Sequence, residues 1–197
     1  NGGEIKNIPE ILYHAIYCKQ HIKEKFGFYH ESDTYPHTRL FTSARMMKTY
    51  LGITYSQGFI GSVFQTQQFL DNPVEETAYG KMLKSEHARF TELVKTVAGC
   101  TPMGVEITYD PFYNTVDEKK RPLWIRTATA FGVPFVTTPA KTAFLDETSA
   151  KYLSDAELKR YFSGNLFLDG DAAYELTGRG YGKYMGVSVG ENAITED

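Results

Sequence analysis

The chain has 197 residues, a formal net charge of -3, 42% hydrophobic residues and 14% aromatic residues. That length holds one large domain or two small ones with a real core, and the weak negative charge leaves no electrostatic footprint for nucleic acid or an anionic membrane. Its two cysteines, Cys18 and Cys100, lie far apart and flank no metal or redox motif, so reduced thiols are expected.

Ile8 to Lys25 opens the chain with apolar residues at Ile8, Ile11, Leu12, Ala15, Ile16 and Ile22, the spacing of an amphipathic helix. Pro9 fits its first turn, where a missing amide donor costs little, and Gly27 stops it. Phe26 to Tyr29 predicts a short buried strand. A second helix follows from about Thr42 to Gln57, capped by Thr42 or Ser43, with Ala44, Met47, Leu51 and Tyr55 as its buried stripe. Gly58 ends it, Phe59 to Phe64 predicts another strand, and a third helix spans about Glu76 to Val97. Helix, strand, helix, strand, helix predicts right-handed crossovers and parallel strands.

Residues 100–122 break the alternation. Pro102, Pro111, Asn114, the run Asp117-Glu118-Lys119-Lys120-Arg121 and Pro122 suggest a connection between units. Shorter elements then resume: a helix over Leu123–Phe131, strands at 132–136 and Thr142–Leu145, and a helix from a capping box at Ser154-Asp155-Ala156-Glu157 to Phe162. A strand at Asn165–Leu168 ends in an Asp169-Gly170 turn, and a helix over Asp171–Leu176 is closed by Gly178 to Gly182. The expected organisation is a first unit at 1–104, a linker at 105–122 and a second α/β unit at 123–197. The chain opens on Asn1-Gly2-Gly3 and stops soon after a strand-like run, so both ends read as cuts in a longer protein. No apolar run spans a membrane and no signal peptide is visible; localisation is left open, with the cytoplasm favoured for the parent protein.

Chemistry concentrates at His30-Glu31-Ser32-Asp33-Thr34-Tyr35-Pro36-His37-Thr38-Arg39, where an apolar aromatic run gives way to a polar loop. A carboxylate at the C-terminal end of a parallel strand is where barrel enzymes place nucleophiles and general acids or bases. Glu31 and Asp33 are the candidate catalytic carboxylates. Their closeness in sequence makes them poor candidates for opposing roles, so glycoside hydrolysis needs a partner from another strand. His30, Tyr35, His37, Arg39 and, at the exit of the second strand, Gln65 are candidate substrate-binding groups. An ordinary acidic turn, with Ser32, Asp33 and Thr34 as capping residues, is the competing reading.

His30, Asp33 and His37 also mix ligand types that suit zinc, but their spacing matches no strong signature. His14 and His21 lie about 10 Å apart along the first helix, too far for one metal. No metal and no cofactor is expected. Leu168-Asp169-Gly170-Asp171 has the strand-turn-helix form of a nucleophile elbow without its Ser or Cys, so a structural turn is expected. Gly178-Arg179-Gly180-Tyr181-Gly182 has the wrong spacing for a phosphate loop.

Glu31 to Arg39, with Ser43-Ala44-Arg45 and the strand at Gly58 to Thr66, resembles the end of the (β/α)8 barrel in bacterial β-galactosidase-like glycoside hydrolases. Residues 132–187 are similar to the start of the α/β domain that follows such barrels. Gly132-Val133-Pro134, Leu153-Ser154-Asp155, Leu168-Asp169-Gly170-Asp171-Ala172-Ala173 and Arg179-Gly180 carry that likeness. The resemblance implies the C-terminal part of a barrel followed by part of a flavodoxin-like, class I glutamine-amidotransferase-like domain that lacks amidotransferase catalysis and often mediates trimers. It implies Glu31 as the nucleophile at the end of the seventh strand, and an acid/base glutamate on a fourth strand that this chain does not contain. The expected partners are a carbohydrate substrate and a homo-oligomer, a trimer, in the parent protein. The alternative is a non-catalytic carbohydrate-binding or oligomerisation protein that retains the architecture.

Overall fold

The computed structural model describes residues 8–22, 26–32, 42–64, 77–108 and 123–190. They fall into two compact units, Asn1–Pro102 and Met103–Asp197. Each combines helices with parallel strands. No helix among the described residues is long and apolar enough to cross a membrane.

The first unit runs α1 (Ile8–His21), β1 (Tyr29–Ser32), α2 (Ala44–Ser56), β2 (Gly61–Phe64) and α3 (Ala78–Val97). α2 starts where its cap lies: the Ser43 hydroxyl accepts the Met46 amide at 3.1 Å, satisfying one of the free donors of the first turn. Its buried residues are Met47, Tyr50, Leu51 and Thr54, whereas Ala44 and Tyr55, expected in the stripe, are only partly covered. The buried arc is wider because α2 packs against both α1 and α3. Thr54 tolerates full burial because its hydroxyl donates back to the Tyr50 carbonyl. Met47, Tyr50, Leu51, Tyr79, Met82 and Phe90 form the core of this helix pair, and the Tyr79 hydroxyl donates to the Thr42 carbonyl.

The second unit runs β3 (Val105–Ile107), α4 (Leu123–Phe131), β4 (Phe135–Val136), β5 (Thr142–Leu145), α5 (Glu147–Tyr152), α6 (Asp155–Phe162), β6 (Asn165–Leu168), α7 (Gly170–Gly178) and α8 (Gly182–Met185). Its sheet is parallel throughout, in the order β4-β3-β5-β6. β3 corrects the expectation that 100–122 is only a connection: Val105-Glu106-Ile107 pairs with strands on both sides. α5 was also not expected; Asp146 caps it by accepting the Ser149 amide at 2.8 Å. The capping box at Ser154 and Glu157 is present as expected.

Ala143 and Leu145 turn one face of the sheet toward Ala150, Leu158, Ala172 and Leu176, from α5, α6 and α7. Phe144 points the other way, and Trp124 of α4 packs on it with ring centroids 4.6 Å apart. The Trp124 indole donates to the Leu145 carbonyl at 3.0 Å. α4 ends at Gly132, whose φ of 66° is the left-handed helix cap that favours glycine.

Gly104 matters for space instead. A Cβ there would lie 2.5 Å from the Pro134 carbonyl oxygen and 2.7 Å from the Phe135 Cα. Both are backbone atoms of the neighbouring segment, which cannot swing aside as a side chain can. Gly104→Ala is expected to destabilise the second unit by about 1–3 kcal/mol. Urea unfolding followed by Trp124 fluorescence reads this directly, because Trp124 is the only tryptophan of the chain. An unchanged midpoint would mean that β3 and β4 separate freely.

Candidate active site

β1 and β2 pair in parallel with Tyr29 opposite Gly61, His30 opposite Ser62, Glu31 opposite Val63 and Ser32 opposite Phe64. The expected strand at Phe26–Tyr29 therefore lies three residues later. Phe26 is exposed, and the ladder is entered through Ile60, whose amide donates to the Phe28 carbonyl at 2.9 Å. Glu31 belongs to the strand itself, as its penultimate residue, rather than to the loop beyond it.

Alternation then sorts the side chains. Tyr29 and Glu31 share one face and are exposed, as is Val63 beside Glu31. The Tyr29 ring lies over Gly61, where a Cβ would come within 2.5 Å of it. A larger residue at 61 would thus push the ring off the strand. The result is an open face with the Tyr29 ring at the start of β1 and the Glu31 carboxylate and Val63 near the carboxyl end of the parallel pair.

The opposite face is polar and satisfied. His30 is half-buried and Ser32 is 1% exposed. His30 Nδ1 lies 2.8 Å from Ser32 Oγ, Ser32 Oγ contacts Ser62 Oγ, and Ser62 Oγ donates to the His30 carbonyl at 2.7 Å. Burial pulls the His30 imidazole below its ordinary value against the opposing pull of the adjacent Glu31 charge, so the ring is neutral at neutral pH.

Of the residues predicted for the site, Glu31 and His30 sit on adjacent positions of β1 but on opposite faces. Asp33, Tyr35, His37, Arg39 and Gln65 lie outside the described residues. Ser32 was expected only as a turn or capping residue, and Ser62 only as part of a strand. Their only signal in the sequence is that two serines replace the apolar residues usual on the covered face of a strand. Among the described residues no group of histidines, cysteines and carboxylates could hold a metal ion. A cleft of about 590 Å³ along α2 and α3, lined by Tyr55, Ile60, Leu83, His87 and Phe90, has no carboxylate among its described lining residues.

The second unit holds two further polar groupings. Glu106, 3% exposed, accepts both terminal nitrogens of Arg160 at 2.9 and 2.6 Å, the Tyr161 hydroxyl at 2.5 Å and the Ala140 amide at 2.9 Å. Burial pushes its carboxyl up, but these donors outweigh that and hold it below the usual carboxylate range. Burial and the Glu106 contact raise the Tyr161 hydroxyl. With every lone pair engaged, this is an anchor between β3 and α6, not a reactive group.

Asp146 and Asp169 follow the ends of the adjacent strands β5 and β6. Burial raises both carboxyls, and the charge of Asp146 adds to the rise at Asp169. Each is already a helix cap: Asp146 for α5, and Asp169 for α7 through the Ala172 amide at 2.7 Å. The Asp169-Gly170 turn is thus the structural turn expected there, its helix amide taken by its own side chain. Cys100 is exposed, and its thiol donates to the Thr96 carbonyl.

No family model matches this chain, and neither a curated protein nor a solved structure matches it.

Proposed function

We propose that this chain carries the nucleophile-bearing part of a β-galactosidase-like glycoside hydrolase, with Glu31 as the nucleophile. The observation that carries the reading is the exposed Glu31 carboxylate near the carboxyl end of a parallel strand, on an open face with Tyr29 and Val63. In β/α barrels that end of the strands is where catalysis is built. The tyrosine ring beside the acid gives a surface on which a sugar ring can stack.

Two further features support the architecture that goes with this reading. β1-α2-β2-α3 is two consecutive strand-helix units with parallel pairing, the repeating element of a barrel. Counted within the second unit, the strand order is 2-1-3-4, the order of a flavodoxin-like sheet.

In this mechanism the Glu31 carboxylate attacks the anomeric carbon as the aglycone leaves, forming a glycosyl ester that water later opens. A second carboxyl about 5 Å away protonates the leaving oxygen and then activates the water. β2 is Gly61-Ser62-Val63-Phe64 and offers no carboxylate, so the acid/base comes from a different strand.

The test is turnover of a panel of aryl glycosides by the intact protein, aryl β-galactosides among them. Release of the aryl group from one sugar, with the product's anomeric configuration retained, is the expected result. No turnover of any sugar, with sugar binding still detected by calorimetry, would replace this reading by a carbohydrate-binding one.

A further inference from the structure

The hydrogen bonds around Ser62 have a direction that can be deduced, and that direction fixes the protonation pattern of His30. The Ser62 hydroxyl lies 2.7 Å from the His30 carbonyl and 3.4 Å from the Val63 carbonyl, both of which can only accept, so it spends its one proton on a carbonyl, chiefly the nearer one. Ser62 must then accept from Ser32, which spends its own proton in that contact. Ser32 in turn must accept from the imidazole, so Nδ1 carries the hydrogen and, in the neutral ring, Nε2 carries the lone pair. The circuit begins at the His30 side chain and closes on the His30 backbone. Ser32, in the middle of it, is almost wholly buried.

The circuit also has a place relative to the acid. His30 and Ser32 are the two residues flanking Glu31, and Ser62 stands opposite His30 on the neighbouring strand. The backbone on both sides of Glu31 is therefore tied to β2 by side-chain bonds on the covered face, while the carboxylate projects from the open face. Strand ladders alone allow small shifts at a strand end, where pairing stops; an added cross-strand lock removes them. Reacting groups need that kind of support, because a misplacement of about 1 Å costs on the order of 100-fold in rate.

We propose that His30, Ser32 and Ser62 form a directional hydrogen-bond circuit that acts as a positioning device for Glu31. This rests on the reading of Glu31 as a nucleophile. The circuit itself is a separate physical statement with its own readout.

Nitrogen NMR of histidine-labelled intact protein, with His30 assigned through a His30→Gln variant, reads the tautomer. At neutral pH the circuit requires hydrogen on His30 Nδ1. A neutral ring with its hydrogen on Nε2 overturns the circuit whatever the enzyme does. Kinetics then test the positioning role. Ser62→Ala is expected to lower kcat by about 10- to 100-fold with KM little changed, and to release the His30 tautomer. Ser62→Thr keeps the hydroxyl on a residue suited to strands and is expected to restore both. If Ser62→Ala changes the tautomer but leaves kcat intact, the circuit is structural only and the positioning role falls. A wild-type protein that hydrolyses no glycoside overturns the positioning role together with the reading beneath it, while the tautomer result stands on its own.

Discussion

Arg160→Met is expected to destabilise the second unit by about 2–3 kcal/mol. The substitution removes the guanidinium that lies over the Tyr161 ring and its two bonds to Glu106, leaving a buried carboxylate with only the Tyr161 hydroxyl and the Ala140 amide. Breaking one side of a fully buried pair costs about 3–5 kcal/mol. The lower figure applies here because the Arg160 side chain is 39% exposed and water already screens part of the pair. Adding Glu106→Gln to Arg160→Met is expected to recover most of the loss. With the glutamine oxygen accepting the Ala140 amide and its NH2 donating to the Tyr161 hydroxyl oxygen, no charge remains to be desolvated, whereas Glu106→Leu would strand the hydroxyl and the amide together. Unfolding followed by Trp124 fluorescence reports on this unit, since the indole is bonded to Leu145 within the same sheet. If Arg160→Met unfolds at the same urea concentration as the wild type, the pair contributes nothing and the anchor is only packing.

The same anchor sets a pH dependence. The Glu106 carboxyl lies below its ordinary value of 4.5 in the folded protein, so as pH falls the unfolded chain binds the proton first. Its contribution is complete above about 4.5 and is lost as pH falls through the native value. Acid unfolding of the second unit should therefore shift to higher pH in Arg160→Met and flatten in the double variant.

These features differ in how far the sequence announces them. Caps and helices are local: Ser43 with Met46, and Ser154 with Glu157, lie three residues apart, so their partners are visible together. α2 was placed within two residues of its limits for that reason. β1 was placed too early because its covered face is polar. His30 and Ser32 are satisfied by Ser62, 30 to 32 residues away, and without that partner the apolar Phe26-Gly27-Phe28 looks like the better strand. β3 was missed for the same reason on a larger scale. A three-residue strand with a glutamate at its centre looks like linker until Arg160 and Tyr161, 54 and 55 residues later, supply its donors. The place of Glu31 near the end of a strand was legible because a strand leading into a polar loop is a local pattern. The two serines behind it were not, because their meaning is a contact between strands.

Glu31→Gln is expected to lower turnover of the best aryl glycoside by about 10⁴-fold or more, at least about 5 kcal/mol of transition-state stabilisation. Glutamine has the size and shape of the acid it replaces, and Glu31 is exposed on an open face, so the fold should be unaffected and circular dichroism unchanged. What is lost is the negative oxygen that attacks the anomeric carbon; an amide cannot form the glycosyl ester. The shorter Glu31→Ala variant supplies the complementary result. Azide, small enough to occupy the vacated space, attacks the anomeric carbon as the aryl group leaves and yields a glycosyl azide of inverted configuration. That product appears only if the missing carboxylate stood on the face opposite the leaving group. Activity within a few-fold of wild type in Glu31→Gln would remove Glu31 from the nucleophile's role. Loss of activity in both variants without any azide product would make it a substrate-binding acid instead, and the nucleophile would then have to lie on another strand.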